Sequence, residues 1–369
     1  MKKFQAVLSS FVCVASLSSA CKTTRSLDVS HLKAEDNGAP EGELVLSSGP
    51  ETLLVYNAKG PSQLIRLNNA PSKIASIDIP PPHKSPGLVR NFLSSKFDRM
   101  YVLSSKKLYT IKSVDGTVET AVDVPEGNGF AIDTVSQGYF IADNVVSELN
   151  PKTGKFGRSL SADADVWTMT DTQLLLANAN ELTIVDKETF KIVGTVKLEG
   201  TPDLHSPLLS VSWDAKNNFV YLSGSPIRPR SLGAFVTVDL QRMAIKEFGS
   251  PATFSGARFA LNKLSRFIEI QHTSTPVSST HVMMSDIQGN ASMKPVGSHG
   301  TMYDLFETND NLQFNDSETL SVMSSACLTG FCAAGKGLIF YDLKNDKRLP
   351  NLTLEFLGFQ PHGAYFFKK

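Results

Sequence analysis

Four of the seven histidines share one local setting. His83 stands in Pro82-His83-Lys84-Ser85-Pro86-Gly87, His205 in Asp203-Leu204-His205-Ser206-Pro207, His299 in Gly297-Ser298-His299-Gly300 and His362 in Pro361-His362-Gly363. Each lies among turn-forming residues, one to five positions ahead of a predicted strand. Neutral imidazole is a common zinc or copper ligand, and equivalent positions in a repeating chain can aim several rings at one axis. A metal, however, needs its ligands within about 2 Å of one ion, which equivalence alone does not supply. The stronger reading is that Pro and Gly set these turns and the His packs or hydrogen-bonds locally; of the functional readings a His-lined surface for a ligand or partner, with no metal and no cofactor, is preferred. Arg228 and Arg230, in the long connection after Leu222, are suited to an anionic group on such a surface.

Other chemistry finds less support. The chain has no Gly-x-Ser-x-Gly and no phosphate-binding glycine loop. The run Asp310-Asn311-Leu312-Gln313-Phe314-Asn315-Asp316-Ser317-Glu318 holds oxygen ligands of the kind calcium takes. It lacks the Asp-x-Asp-x-Asp-Gly spacing and reads as a solvated loop. With 36 basic and 36 acidic side chains there is no cationic surplus to grip a phosphate backbone, which excludes nucleic acid as a partner. An apolar content of 41% over 369 residues supplies a large core and excludes disorder, collagen and coiled coil.

The first residues set the compartment. Met1-Lys2-Lys3 is a short basic start, and Phe4 to Leu17 is an apolar, serine-rich stretch too short to span a bilayer. It ends in Leu17-Ser18-Ser19-Ala20-Cys21, which resembles a bacterial lipobox, small residues before a Cys whose thiol receives diacylglycerol. Ordinary secretory cleavage after Ala20 is the rival reading; lipidation of Cys21 is preferred, and both export the protein. Lys22 stands where Asp marks inner-membrane retention in enteric bacteria, so the resemblance implies an outer-membrane address, facing the periplasm or the cell surface. Loss of residues 1–20 leaves 34 basic against 36 acidic groups, so attachment rests on lipid rather than charge. Cys13 leaves with the signal segment, and Cys327 and Cys332 are then the two thiols of the folded part. In an oxidising compartment that pair reads as a disulfide, its short loop contributing about 2 kcal/mol.

The elements that must position these residues recur. A five-residue strand ending in a polar residue that starts a turn appears seven times. The copies are Leu64-Ile65-Arg66-Leu67-Asn68, Leu108-Tyr109-Thr110-Ile111-Lys112, Val146-Ser147-Glu148-Leu149-Asn150, Leu182-Thr183-Ile184-Val185-Asp186, Phe235-Val236-Thr237-Val238-Asp239, Val282-Met283-Met284-Ser285-Asp286 and Leu338-Ile339-Phe340-Tyr341-Asp342. Their final residues stand 36 to 56 positions apart, spanning the roughly 40–50 residues of a four-stranded propeller blade. Asn150-Pro151-Lys152-Thr153-Gly154 and Ser113-Val114-Asp115-Gly116 supply the turn chemistry. A further strand precedes most copies, as at residues 100–103, 139–142, 174–177, 219–222 and 266–270. The innermost strands are expected earlier still, at residues 88–92 and 208–213. Past residue 20 there is no sustained 3.6-residue period, so almost no helix is expected. A β-sandwich needs only about seven to nine strands, far fewer than this pattern supplies.

Four strands in each of seven repeats resembles a seven-bladed β-propeller, all-β with antiparallel blades. The passage Trp213-Asp214-Ala215-Lys216-Asn217-Asn218-Phe219-Val220-Tyr221-Leu222, followed by Val236-Thr237-Val238-Asp239, is similar to the YVTN and lactonase-like propellers of bacteria. That superfamily includes enzymes, electron-transfer partners and binding scaffolds, so the resemblance implies architecture rather than activity. It also implies that the junctions carrying His83, His205, His299 and His362 surround the mouth of a central channel. Ring closure needs a strand from each end of the domain, and residues 42–47 and 363–367 both offer one; which lies innermost stays open.

The expected organisation is a signal peptide over 1–20, a flexible tether over 21–41 and a propeller over 42–369. The expected function is a monomeric, lipid-anchored extracytoplasmic module that binds an envelope protein, a glycan or a small ligand. The alternative is a lactonase-like or metal-assisted hydrolase using the channel mouth.

Overall fold

The structure, a computed structural model, describes residues 43–46, 48–57, 60–80, 93–104, 106–127, 129–133, 135–142, 144–199, 201, 204, 208–224, 235–248, 260–261, 266–273, 279–286, 291–298, 313–325, 337–345, 347–359, 361 and 363–368. The first strands are β1 (Glu51–Tyr56), β2 (Ser62–Leu67) and β3 (Ser72–Ile77). Six sets of four follow. They are β4 (Leu93–Lys96), β5 (Arg99–Ser104), β6 (Lys107–Lys112) and β7 (Val118–Asp123); then β8 (Gly129–Ile132), β9 (Gly138–Ala142), β10 (Val145–Leu149) and β11 (Phe156–Ser161). Next come β12 (Val166–Met169), β13 (Gln173–Ala177), β14 (Glu181–Asp186) and β15 (Lys191–Lys197); then β16 (Leu208–Asp214), β17 (Phe219–Gly224), β18 (Phe235–Asp239) and β19 (Ala244–Phe248). The last sets are β20 (Ala260–Leu261), β21 (Arg266–Thr273), β22 (Ser279–Asp286) and β23 (Ala291–Ser298), and β24 (Gln313–Phe314), β25 (Leu320–Ser325), β26 (Gly337–Asp342) and β27 (Lys347–Thr353). A single turn of helix, α1 (Leu354–Leu357), leads to β28 (Gly363–Phe366).

Among the described residues these strands make seven four-stranded sheets, each pairing in chain order except the first, which runs β28-β1-β2-β3. The first strands of successive sheets touch one another, β4 with β8, β12 with β16, β16 with β20 and β24 with β28, so they line the inside of a ring. The fold is a seven-bladed β-propeller. Blade 1 is the sheet that contains β1, and the others follow in chain order.

Packing explains which strands were easiest to read. Where their side chains are described, the second and third strands of a blade carry buried apolar side chains on both faces, as in β13, where Leu174 to Ala177 are all buried. Alternation sends Leu54 and Tyr56 towards Met100 and Val102 of blade 2, and Leu53 and Val55 towards Val322 and Phe340 of blade 7. Each such buried side chain contributes about 1.5–3 kcal/mol. The fourth strands face water on the rim, and β11 is almost wholly exposed.

All seven recurring segments are third strands, β2, β6, β10, β14, β18, β22 and β26, and their terminal polar residues have a visible task. Asn150 Oδ1 accepts hydrogen bonds from the backbone N–H of Lys152 and Thr153, Asp239 Oδ1 from Gln241 and Arg242, and Asp342 Oδ1 from Lys344 and Asn345. Four of these turns place a left-handed residue four positions after the segment's last residue: Gly116, Gly154, Phe190 and Met243 all have φ between 53° and 74°. Gly116 also lies against Ala75 and Ile77 of the preceding blade, where a Cβ would come within 3.0 Å of either side chain.

Two expectations change. Residues 43–46 form no strand; Leu44 is buried in the cluster between blades 7 and 1. The free edge of β1 pairs instead with β28, from Leu53↔Phe366 to Tyr56↔Gly363, so a segment 300 residues away supplies the innermost strand and leaves no unpaired edge there. The inner strand of blade 2 is β4, at 93–96, whereas residues 88–92 lie outside the described residues. The inner strand expected at 208–213 is β16. Within the acidic run, Asn315 Oδ1 accepts from the N–H groups of Thr319 and Leu320, making this stretch the turn between β24 and β25.

Candidate functional site

Antiparallel order gives the ring two unlike faces. One, here the connection face, carries the links from each outer strand to the next inner strand and from each second strand to its third. The other, the turn face, carries the two remaining sets of turns. In sequence, His83 falls between β3 and β4, His205 between β15 and β16, His299 between β23 and β24, and His362 between α1 and β28. Arg228 and Arg230 fall between β17 and β18. All six lie outside the described residues, as do Cys21, Cys327 and Cys332.

The described part of the connection face shows a different signal. Four buried polar atoms there have no hydrogen-bond partner: Tyr56 Oη, Gln63 Oε1, Trp167 Nε1 and Thr201 Oγ1. Tyr56 ends β1 opposite Gly363, Gln63 and Trp167 are second residues of β2 and β12, and Thr201 follows β15, so all four belong to strand ends or links of that face. Leaving such a group without a partner costs about 1–3 kcal/mol, and native proteins rarely tolerate it without a reason. Burial raises the Tyr56 phenol well above its ordinary range, and the adjacent Tyr365 adds to the shift, so this hydroxyl stays a donor. The Trp167 indole lies over Gly129 of the neighbouring inner strand, where a Cβ would stand 2.8 Å from Nε1. Tyr56 and Trp167 carry no sequence signal of this, because aromatic side chains in strands look like core.

On the turn face a cleft of about 410 Å³ opens between blades 1 and 2. Thr52 and Arg66 line it from blade 1, and Asp98, Arg99, Lys112, Ser113 and Val114 from blade 2. Thr52 and Arg66 are cross-strand partners. Arg99 donates to the Glu119 carboxylate through Nε and Nη2, and Lys112 Nζ stands 3.3 Å from the same group. Those hydrogen bonds, Arg99 first, hold the Glu119 carboxyl below its usual range. Arg66 is exposed and makes no hydrogen bond or ion pair among the described residues.

The boundary between blades 3 and 4 shows the same region filled. Asp133, in the turn between β8 and β9, accepts from Val135 and Gln137 N–H and from Tyr139 Oη at 3.2 Å, and lies 3.6 Å from Lys187 Nζ of blade 4, with both charged groups buried. Burial, and then the Asp133 charge, push the Tyr139 phenol upward. Nearby, Arg158 pairs with Glu148, donates to the Glu188 carbonyl and lies over the Phe190 ring. Hydrogen bonds from Arg158 hold the Glu148 carboxyl below its usual range.

The sequence matches no protein-family model and no curated protein. The fold does find likeness among solved structures. A candidate 6-phosphogluconolactonase of Bacteroides fragilis aligns with a TM-score of 0.54 at 9% identity, over 87% of this chain and 98% of that one. A second, from Bacteroides uniformis, gives 0.54 at 10% identity over 86% and 99%. The hydrazine synthase of Kuenenia stuttgartiensis gives 0.52 at 9% identity over 72% and 80%. At these identities the likeness is one of fold.

Proposed function

We propose that this chain is a lipid-anchored extracytoplasmic propeller that binds an envelope protein, a glycan or a small ligand on its connection face. The observation that carries this reading is that four buried polar atoms of that face, Tyr56 Oη, Gln63 Oε1, Trp167 Nε1 and Thr201 Oγ1, have no hydrogen-bond partner among the described residues. They belong to blades 1 and 4, so a polar ligand would satisfy those it reaches and offset the desolvation these now bear. The segments carrying His83, His205, His299, His362, Arg228 and Arg230 fall, in chain order, among the links of the same face. Cys21 supplies the anchor and the envelope address in this reading. Blades 2 to 7 are each built from consecutive strands, so binding side chains on different links share one rigid frame.

The competing reading is a hydrolase, since two proteins of like fold are described as candidate lactonases. One preparation tests both. The anchored protein is captured from membranes, and bound molecules, metal content and turnover of a panel of lactones are measured together. The expected result is a bound molecule at a fixed ratio that Trp167→Phe weakens, with no turnover. Lactone turnover abolished by substitution of the histidines would establish the hydrolase instead.

A further inference from the structure

The cleft between blades 1 and 2 exists because of how the ring closes. In the turn between β8 and β9, Asp133 neutralises Lys187 of the next blade and occupies the boundary. Asn315 does comparable work in the turn between β24 and β25, where its Nδ2 donates to Glu51 Oε1 of blade 1 at 2.7 Å. Blade 1 has no such turn, because its first two strands, β28 and β1, are far apart in sequence. On this face of its boundary with blade 2, Asp98 N–H donates to the Lys368 carbonyl. Glu51, the carboxylate best placed to fill the gap, is turned towards blade 7 by that bond to Asn315. Arg66 is left with no ion-pair partner among the described residues. Glu148 occupies the same repeat position in β10 and has Arg158 as its partner.

We infer that this cleft is a binding site for a phosphate group. Arg66 offers a planar fork of donors that matches a phosphate bidentately. The hydroxyls of Thr52, its cross-strand neighbour, and of Ser113, across the boundary, make no hydrogen bonds among the described residues and line the same cleft. Arg99 and Lys112 are held in place by Glu119, and with Arg66 the three cations exceed Glu119 and the exposed Asp98 at the margin by one charge. A volume of about 410 Å³ falls within the roughly 300–1,000 Å³ of small-ligand sites, so the phosphate can belong to a phosphorylated small molecule or to a lipid headgroup reaching in from a membrane.

Two arms of one experiment separate the sources. The mature, folded protein is titrated calorimetrically with inorganic phosphate at low salt, and is sedimented with phosphatidylglycerol vesicles against phosphatidylcholine vesicles. The variants are Arg66→Gln, Ser113→Ala and, as a control for net charge on the same face, Arg242→Gln, whose exposed side chain lies 3.7 Å from Asp239 in blade 5. All three positions are at the surface, and unchanged melting temperatures confirm folding. The site is supported by binding that Arg66→Gln weakens about tenfold and Arg242→Gln by less than about twofold. Phosphate binding assigns a soluble ligand, and vesicle binding alone assigns a headgroup. Absence of binding in both arms, or equal loss in the Arg66 and Arg242 variants, overturns the proposal.

Discussion

Arg158 shows how much a single side chain does at a blade boundary, and its behaviour with pH can be stated in advance. Its hydrogen bonds lower the Glu148 carboxyl in the folded protein. A lowered carboxylate contributes stability that is complete above the ordinary range near pH 4.3 and is lost as pH falls through the lowered value. Arg158→Met should therefore melt about 1–2 °C below wild type at pH 7, a small effect because the guanidinium is half exposed, and the difference should narrow in acid to what the carbonyl and Phe190 contacts contribute. Gly116 gives a second test. Its φ of 74° and its approach to Ala75 and Ile77 mean that Gly116→Ala should cost about 1–2 kcal/mol by denaturant unfolding. At this scale the sequence was partly legible. The Asn and Asp residues that end third strands were readable as turn starters because their chemistry is local. Arg66 was not read as a site residue, because its meaning depends on which side chains the next blade brings to the cleft. A signal did exist: among the seven third strands, only Arg66 and Glu148 place a charge at the middle position.

At the scale of elements, β28 carries the closure. It pairs along β1 and brings Ala364 and Phe366 into the cluster between blades 7 and 1. Deleting residues 364–369 should expose an edge of β1 and open that cluster, giving aggregation or a large drop in melting temperature. A deletion variant that melts like wild type would count against closure by this strand. The second and third strands were legible as strong apolar runs because they are buried on both faces. The inner strands were harder, since β4, β20 and β24 have only two to four residues each. The closing strand was undecidable because both candidate segments have adequate apolar content, and pairing between distant segments leaves no local trace. Residues 43–46 illustrate this: Leu44 is apolar because it is buried, yet it pairs with nothing in a sheet.

At the scale of the molecule, the account joins an anchor to a ring with two working faces. Replacing Cys21 with Ser should release the protein in soluble form; persistence on membranes, with no uptake of labelled fatty acid by the wild type, would remove the anchor from the account. The central claim is that the connection face binds, and one measurement bears on it most directly. His205 and His299 are replaced together by Ala, and capture of the bound molecule from membranes is compared with wild type at matched amounts of folded protein. The account predicts that capture is lost while the melting temperature stays close to wild type, as for substitutions outside the packed core. Undiminished capture by the folded double variant would contradict it.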